Sequence, residues 1–316
     1  MKKTLITGAA GQIGTELTAY LRNIHGADNV IATDICKPSD TLQQSGPYEH
    51  LDVTDKPAVF KVVREQNVGV IYHLAAILSA VGETKPHAAW NVNMNGSYNM
   101  LEAGRKEKCT IFIPSSIAAF GPDTPKNNTP QDTLQRPTSM YGVTKVAGEI
   151  LCDYYFQRFQ VDVRGVRYPG LISYEAPPGG GTTDYAVEIF YEAIQNKKYT
   201  CFLGPDTRLD MMYMSDALKA AVDLMNADPA KLNHRNAFNI TAFSFTPEEL
   251  ATEIKKHIPE FEIQYEVDPC RQSIADSWPS HMDDSAAREE WNWSPEYTFE
   301  AMVKDMLEKL QKKLHK

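Results

Sequence analysis

The stretch TLITGAAGQIGTEL, residues 4–17, is the part of the sequence that decides the fold. Its first four residues are β-branched or apolar and predict a strand. Ile13 and Leu17 follow at the spacing of one helix face, which Leu21 continues. A short glycine-rich segment lies between the two patterns. The stretch therefore predicts a strand, a tight turn and a helix in immediate succession.

The glycines of this turn are Gly8, Gly11 and Gly14. Glycine here permits a tight turn, a close approach of the backbone to a pyrophosphate, and close packing of the helix on the strand. The free amide groups at the start of the helix then face the phosphates. The pattern predicts a dinucleotide-binding turn, in which Gln12 and Ile13 also contact the cofactor.

Asp34 ends the next predicted strand, 20 residues after Gly14. A carboxylate at this place accepts hydrogen bonds from a ribose diol and repels a 2′-phosphate, which predicts NAD rather than NADP. Asp52 follows a third β-like stretch and has two interpretations. It contacts the adenine amino group, or it belongs to the entry of a helix capped by Thr54.

Short β-branched runs alternate with amphipathic helical patterns through the first half of the chain. Strands are predicted over 4–7, 30–33, 68–74, 110–114 and 161–167, and helices over 86–106 and 141–159. This alternation predicts an α/β fold with a Rossmann-type doubly wound parallel sheet. We expect an NAD-binding Rossmann domain over 1–170 and a smaller, mostly helical substrate-binding part over 171–316. Segments within about 205–240 are expected to return to the Rossmann domain, including a strand over 237–240.

The composition excludes several classes of protein. The 316 residues carry a formal net charge of −9, which argues against broad binding to nucleic acid or anionic membranes. No apolar run approaches the length of a membrane span and no signal-peptide pattern is present, so we expect a cytoplasmic protein. The five scattered cysteines predict reduced, buried thiols. No metal is expected, because no histidine pair or HExxH pattern occurs.

Tyr141 and Lys145 stand four residues apart at the start of a predicted helix, which places both side chains on one face. A free tyrosine has a pKa of about 10, and a neighbouring ammonium favours the phenolate that a base needs. Ser115 and Ser116 end a predicted core strand. Hydroxyls at the carboxyl end of a parallel strand lie at the cofactor crevice. Together these residues indicate chemistry at a carbon that changes between alcohol and ketone.

The motifs TGAAGQIG, HLAA, NMNGSYNMLEA, PSSIAAFG and YGVTK occur in this order within the first 170 residues. In order and spacing they resemble the extended short-chain dehydrogenases/reductases of the NAD-dependent epimerase/dehydratase type. The resemblance implies that Ser116 is the active-site serine, Tyr141 the general base, and Lys145 the residue that lowers its pKa and binds the nicotinamide ribose. It implies further cofactor contacts from Leu74, Ala75, Ala76, Asn93, Tyr141, Lys145 and Tyr168. His73 is interpreted as a packed residue rather than a catalyst.

The second half, including Tyr168–Phe190, LDMMYMSDALKA and WPSHMDDSAAREEWNW, is similar to short-chain-type L-threonine 3-dehydrogenases. The resemblance implies a substrate site formed by Ser79, Ser116, Tyr141, Gly181, Thr182 and Asp184. It implies oxidation of the β-hydroxyl of L-threonine to 2-amino-3-oxobutyrate. It also implies a homodimer joined through the helix that carries Tyr141 and the preceding long helix, although the apolar residues of the Tyr141 helix equally suit an internal core.

Pro177 to Gly181 form a run of five helix and strand breakers, which predicts a loop that approaches a small ligand and closes as a lid. The hydroxyls of Thr182 and Thr183 suit a carboxylate, and Asp184 suits an ammonium group. An amino acid presents both groups. The alternative is that Asp184 only caps a helix after a mobile surface loop.

Two other functions remain as alternatives. A sugar-nucleotide epimerase or dehydratase on the same fold would usually need arginines for the diphosphate, and residues 171–316 contain only four arginines. A non-catalytic NAD sensor could dispense with Tyr141, Lys145 and Ser116, which are all present. Asp210 stands where related sequences often have proline and is given no role.

Overall fold

The computed structural model describes residues 2–175 and 181–314. The strands are β1 (Lys3–Thr7), β2 (Val30–Asp34), β3 (Tyr48–His50), β4 (Val68–His73), β5 (Thr110–Phe112), β6 (Ser115–Ser116), β7 (Val163–Arg164), β8 (Val166–Tyr168), β9 (Gly170–Ile172), β10 (Lys198–Cys201), β11 (Leu209–Tyr213), β12 (Phe238–Asn239), β13 (Phe243–Phe245) and β14 (Glu262–Tyr265).

The α-helices are α1 (Gln12–His25), α2 (Asp40–Gln44), α3 (Lys56–Glu65), α4 (Ser79–Thr84), α5 (Pro86–Trp90), α6 (Ser97–Glu107), α7 (Met140–Phe159), α8 (Tyr185–Gln195), α9 (Met214–Asn226), α10 (Pro247–Lys255), α11 (Pro269–Asp276), α12 (Ser285–Trp291) and α13 (Phe299–Leu314). Short 3-10 turns cover Ala27–Asn29 and Ile117–Ala119, and a π-helical turn covers Asn91–Gly96. The helix predicted over 86–106 is therefore α5 and α6 joined by that π-helical turn.

The central sheet is parallel and has the strand order β3-β2-β1-β4-β5-β7. The chain winds outward from β1 in both directions, which confirms the Rossmann-type doubly wound sheet. The connections after β1 and β4 leave to opposite sides, and a crevice opens at the carboxyl ends of these strands. Farther along, β6 and β8 pair in parallel, and β12 adds in parallel to the outer side of β8.

Neighbouring residues of β1 are buried on opposite faces of the sheet. Leu5 belongs to an apolar cluster with Val59 of α3 and Leu101 of α6. Ile6 belongs to a second cluster, with Leu17 of α1 and residues of α9. Because successive side chains of a strand point to opposite faces, the sheet is covered by helices on both sides.

A third apolar cluster lies in the later part of the chain and includes Tyr185, Phe190 and Met306. It is enclosed by α8, α10 and α13 together with two small sheets, of order β13-β11-β9 and β10-β14. Helices therefore predominate in the described part of residues 171–316, as predicted. The division of the chain into two domains at residue 170 stays a prediction.

Two details differ from the sequence-based expectations, and a third expectation is not tested. Asp55, and not Thr54, caps α3, and its carboxylate accepts a hydrogen bond from Ala58 N at 3.0 Å. Cys36 and Cys270 are exposed, so the prediction that all five thiols are buried was wrong, although all five are free. The prediction of a lid over 177–181 falls almost wholly outside the described residues. Among the described helices, none is both long and apolar enough to cross a bilayer.

Candidate active site

The glycine-rich turn between β1 and α1 packs closely against neighbouring backbone atoms. Gly8 has a φ of 70°, and a Cβ at this position would lie 2.6 Å from Ala75 N. A Cβ on Gly14 would lie 2.1 Å from Gly8 O. Side chains at either position would push the turn away from its neighbours, so glycine is required for this close packing. The result is a backbone-lined cradle of the kind that accepts a pyrophosphate.

Asp34 lies beside this turn at the end of β2. Its Oδ2 accepts a hydrogen bond from Ala10 N at 3.0 Å, and its Oδ1 accepts one from Cys36 N at 2.9 Å. Asp52 has a different environment, because its exposed Oδ1 accepts hydrogen bonds from both the amide and the hydroxyl of Thr54 at 2.8 Å. In this structure Asp52 thus organises the entry to α3, which was one of its two interpretations.

The start of α7, with Tyr141 and Lys145, lies against residues 114–118 on both sides of Ser116. Lys145 Nζ lies 5.3 Å from the centre of the Tyr141 ring and donates a hydrogen bond to Pro114 O at 2.7 Å. A Cβ on Gly142 would lie 2.3 Å from Ala118 O. The glycine in YGVTK therefore lets the helix start approach the 3-10 turn after Ser116 closely. Ser116 Oγ accepts a hydrogen bond from Ala118 N at 3.2 Å, which leaves its proton for another acceptor.

A cleft of about 230 Å³ lies between the glycine-rich turn, the start of α7 and the segment before α8. The predicted residues that line it are Gly8, Gly11, Gln12, Ile13, Gly14, Leu74, Ala76, Ser79, Ser116, Tyr141, Lys145, Tyr168, Gly181, Thr182 and Asp184. Four predicted cofactor residues lie outside its lining: Asp34, Asp52, Ala75 and Asn93. The cleft thus joins most of the predicted cofactor, catalytic and substrate residues in one space.

Asn93 is buried and connects two segments of the backbone. Its Oδ1 accepts from Ile77 N at 2.8 Å, and its Nδ2 donates to Ile77 O and to Thr144 Oγ1, both at 3.0 Å. Tyr168 is also buried, and its hydroxyl donates to Ala217 O at 2.7 Å. The hydroxyl of Tyr168 is therefore bound on the side of α9, and only the rest of the residue is available to the cleft.

The substrate side of the cleft carries small polar groups. Ser79 and Thr182 are both buried, at 5% and 3% exposure. Asp184 precedes α8 but makes no capping hydrogen bond to that helix; its Oδ2 accepts from Gly181 N at 2.7 Å. The carboxylate thus shapes the turn 181–184, which is a different role from the helix cap considered as the alternative.

Several apolar residues of the cleft were missed by the sequence analysis: Leu78, Ile117, Leu171 and Trp278. Trp278 comes from the segment between α11 and α12, about 100 residues after Thr182. It carries no local pattern that distinguishes it from the other tryptophans, and only the tertiary structure brings it to the cleft.

His73 and Glu16 are titratable groups near the cleft whose pKa values are strongly shifted. Burial, and then the charge of Lys145, lower the pKa of His73 to about 3, and its Nδ1 forms a hydrogen bond with Thr7 Oγ1 at 2.7 Å. His73 is therefore a neutral, packed residue, as interpreted from the sequence. Burial raises the pKa of Glu16 to about 7, although Ser173 Oγ donates a hydrogen bond to Glu16 Oε1 at 2.5 Å.

Comparison with known proteins adds three findings. The model of the NAD dependent epimerase/dehydratase family matches residues 4–241. A protein of Staphylococcus aureus (strain MRSA252), described as an uncharacterized epimerase/dehydratase, is 54% identical over 314 residues, which are 99% of this chain and 98% of its own.

Solved structures of L-threonine dehydrogenases are also similar. The enzyme of Clostridium difficile is 60% identical with a TM-score of 0.97, over 99% of this chain and 98% of its own. An enzyme from a metagenome, described as a monomeric L-threonine 3-dehydrogenase, is 45% identical with a TM-score of 0.94, over 98% of this chain and 99% of its own.

Proposed function

The chain belongs to the NAD dependent epimerase/dehydratase family, and we propose that it is an L-threonine 3-dehydrogenase that oxidises the β-hydroxyl of L-threonine to 2-amino-3-oxobutyrate. One observation carries this proposal. The glycine-rich turn, the group of Ser116, Tyr141 and Lys145, and the polar residues Ser79 and Thr182 line the same cleft. The similarity to L-threonine dehydrogenases over nearly the whole chain supports it.

The structure has a place that fits NAD. The cradle of Gly8 and Gly14, which a Cβ would fill, suits the pyrophosphate, and Asp34 beside it suits the ribose diol. Lys145 Nζ retains donors beyond its bond to Pro114 O and would hold the nicotinamide ribose. When bound, the nicotinamide accepts a hydride from the β-carbon of the substrate.

The protein's own groups would handle the proton and the oxygen. Tyr141 as the phenolate takes the proton from the β-hydroxyl, so that the C–O bond becomes the carbonyl as the hydride leaves the same carbon. The proton of Ser116 Oγ is free to donate to this oxygen while charge develops on it. Lys145, whose Nζ lies 5.3 Å from the centre of the Tyr141 ring, supplies positive charge beside this base.

An amino acid suits the polar side of the cleft. The hydroxyls of Ser79, Thr182 and Thr183 can donate to a carboxylate, and Asp184 supplies a negative charge for the ammonium group. Ile117 and Trp278 provide apolar surface for the γ-methyl that distinguishes threonine from serine.

The test is the absorbance of NADH after purified protein is mixed with NAD and L-threonine. L-Serine, L-allo-threonine and UDP-glucose serve as parallel substrates. We expect NADH to form selectively with L-threonine. Conversion of UDP-glucose without reaction of any amino acid would refute the proposed substrate and favour the sugar-nucleotide alternative.

We also propose that the protein forms a homodimer through α7 and the preceding long helix, α6. Tyr155 of α7 lies in the core, but Ile150 is 64% exposed. Tyr98 of α6 and Tyr154 of α7 are also exposed, and their ring centres lie 6.2 and 6.1 Å from that of Tyr155. Such exposed apolar residues are typical of an interface. Because one similar enzyme is described as monomeric, light scattering of the purified protein is the deciding measurement.

A further inference from the structure

The helix α4 and the residues before it form one wall of the cleft, and this wall is attached to α7. Leu78 and Ser79 line the cleft from this segment. At its beginning, both backbone groups of Ile77 are bound by the side chain of Asn93, which also donates to Thr144 Oγ1. Thr144 lies on α7 and donates to Tyr141 O at 2.8 Å. The wall is thereby connected to α7 one turn after Tyr141.

A second connection lies at the other end of α4. Glu83 Oε1 accepts a hydrogen bond from Met140 N at 2.7 Å, and Met140 is the first residue of α7. Between the two connections, a methyl group placed on Gly82 would lie 3.8 Å from Tyr141 N and 3.9 Å from Tyr141 Cβ. The end of α4 therefore lies directly against the start of α7, at Met140 and Tyr141.

The hydrogen bond that Glu83 accepts from Met140 N does more than cap α7. α7 already has a cap within its own chain segment, since Ser139 Oγ accepts from Gly142 N at 3.1 Å. Glu83 comes from another helix, 57 residues earlier in the sequence. A carboxylate at a helix N-terminus is also favoured by the helix dipole. The interaction therefore fixes one helix against another in addition to satisfying an amide.

We propose that Glu83 is a positioning residue that holds Ser79 against the start of α7, and so sets the distance between a substrate-binding hydroxyl and Tyr141. The inference rests on the proposed function, because it takes Ser79 as a contact of the amino acid. Glu83 itself does not line the cleft and touches no reacting atom. Its removal should therefore affect substrate binding without affecting the binding of NAD.

The kinetic test compares Glu83→Ala and Glu83→Gln with a matched control, Asp55→Ala. Asp55 is likewise a carboxylate that accepts from a helix-start amide, but it caps α3, which does not line the cleft. We expect Glu83→Ala to raise the KM for L-threonine about five- to tenfold, with kcat and the Kd for NAD nearly unchanged. Most of this increase in KM should be absent in Glu83→Gln, because its amide oxygen still accepts a hydrogen bond from Met140 N.

Thermal melting of each variant separates stability from positioning. Asp55→Ala should lower the melting temperature without changing the KM. If Glu83→Ala lowers the melting temperature in the same way and leaves the KM within about twofold of wild type, Glu83 is only a cap and the inference is wrong. An equal rise of KM in Asp55→Ala would also overturn it.

If the wild-type protein does not turn over L-threonine, the proposed substrate is wrong. Hydrogen exchange then still tests the positioning role of Glu83. In the NAD-bound protein, we expect Glu83→Ala to increase amide exchange across residues 78–84 by about tenfold, with no such change in Asp55→Ala. Unchanged exchange in this segment would overturn the positioning role, whatever the substrate proves to be.

Discussion

The two sides of the cleft are built in different ways. The cofactor side comes from one continuous stretch, in which β1, the glycine-rich turn and the start of α1 follow each other within 20 residues. The opposite side is assembled from Ser79 after β4, Thr182 before α8, and Trp278 after α11. The first side depends on backbone conformation that local sequence determines, whereas the second depends on packing between distant elements.

The largest effect is expected where the two sides meet, at Tyr141. Replacing it with phenylalanine removes the proposed base but keeps the ring against Lys145. We expect kcat to fall by about 10² to 10⁴-fold while the Kd for NAD changes little, as measured by NADH formation and by titration of NAD. Tyr154→Phe, on the exposed side of the same helix, is the control. Retention of activity by Tyr141→Phe would contradict the proposed mechanism.

On the substrate side, Thr182→Val tests a buried hydroxyl with almost no change of volume. We expect the KM for L-threonine to rise about 10 to 100-fold, because the carboxylate of the substrate loses a donor in a buried site. The Kd for NAD should be unchanged. Thr200→Val, in β10 and outside the cleft, should have no effect on either constant. A normal KM in Thr182→Val would mean that another group binds the carboxylate.

On the cofactor side, Asp34→Asn keeps an acceptor for the ribose but removes the charge that repels a 2′-phosphate. We expect the preference for NAD over NADP to fall about tenfold, measured as the ratio of the two Kd values. Asp52→Asn distinguishes the interpretations of Asp52: as a helix-entry residue it should leave the NAD affinity nearly unchanged. A loss of NAD affinity in Asp52→Asn would instead indicate contact with the adenine.

The smallest effect concerns the contact between the two sides, where Ser173 donates to Glu16. Burial raises the pKa of Glu16 to about 7, Glu175 opposes its ionisation, and Lys313 favours it. Because the pKa in the folded state lies above that of the unfolded chain, the folded protein binds more protons between about pH 4.5 and 7, and its stability falls as the pH rises through this range.

Glu16→Gln mimics the protonated form and should remove this dependence. Above pH 7.5 we expect the variant to be more stable than wild type by about 1 to 3 kcal/mol, measured by melting across the pH range. Glu65→Gln, on the exposed surface of α3, is the control. If the melting temperatures of wild type and Glu16→Gln change with pH in the same way, Glu16 does not control this pH dependence.

The difference between the two sides of the cleft also explains how much of the fold and of the site could be predicted from the sequence. Gly8, Gly14 and Asp34 are recognisable because the strand, the turn and the helix impose their spacing, and Tyr141 and Lys145 because a helix places them on one face. Thr54 was mistaken for the cap of α3 because adjacent polar residues compete for that position, and only the backbone path decides between them. Trp278 could not be predicted from spacing, since its position follows from packing in the apolar cluster of the later part of the chain.

The pairing of β12 with β8 has a consequence for synthesis of the chain. Until residues 238–239 leave the ribosome, about 70 residues after β8, the outer edge of β8 has no neighbour in the sheet. At a usual elongation rate this interval is about 4 to 14 s, during which one edge of β8 has no strand to pair with. The stretch between the two strands therefore sets a period in which the growing polypeptide carries an unpaired strand edge, the kind of edge to which another chain can pair.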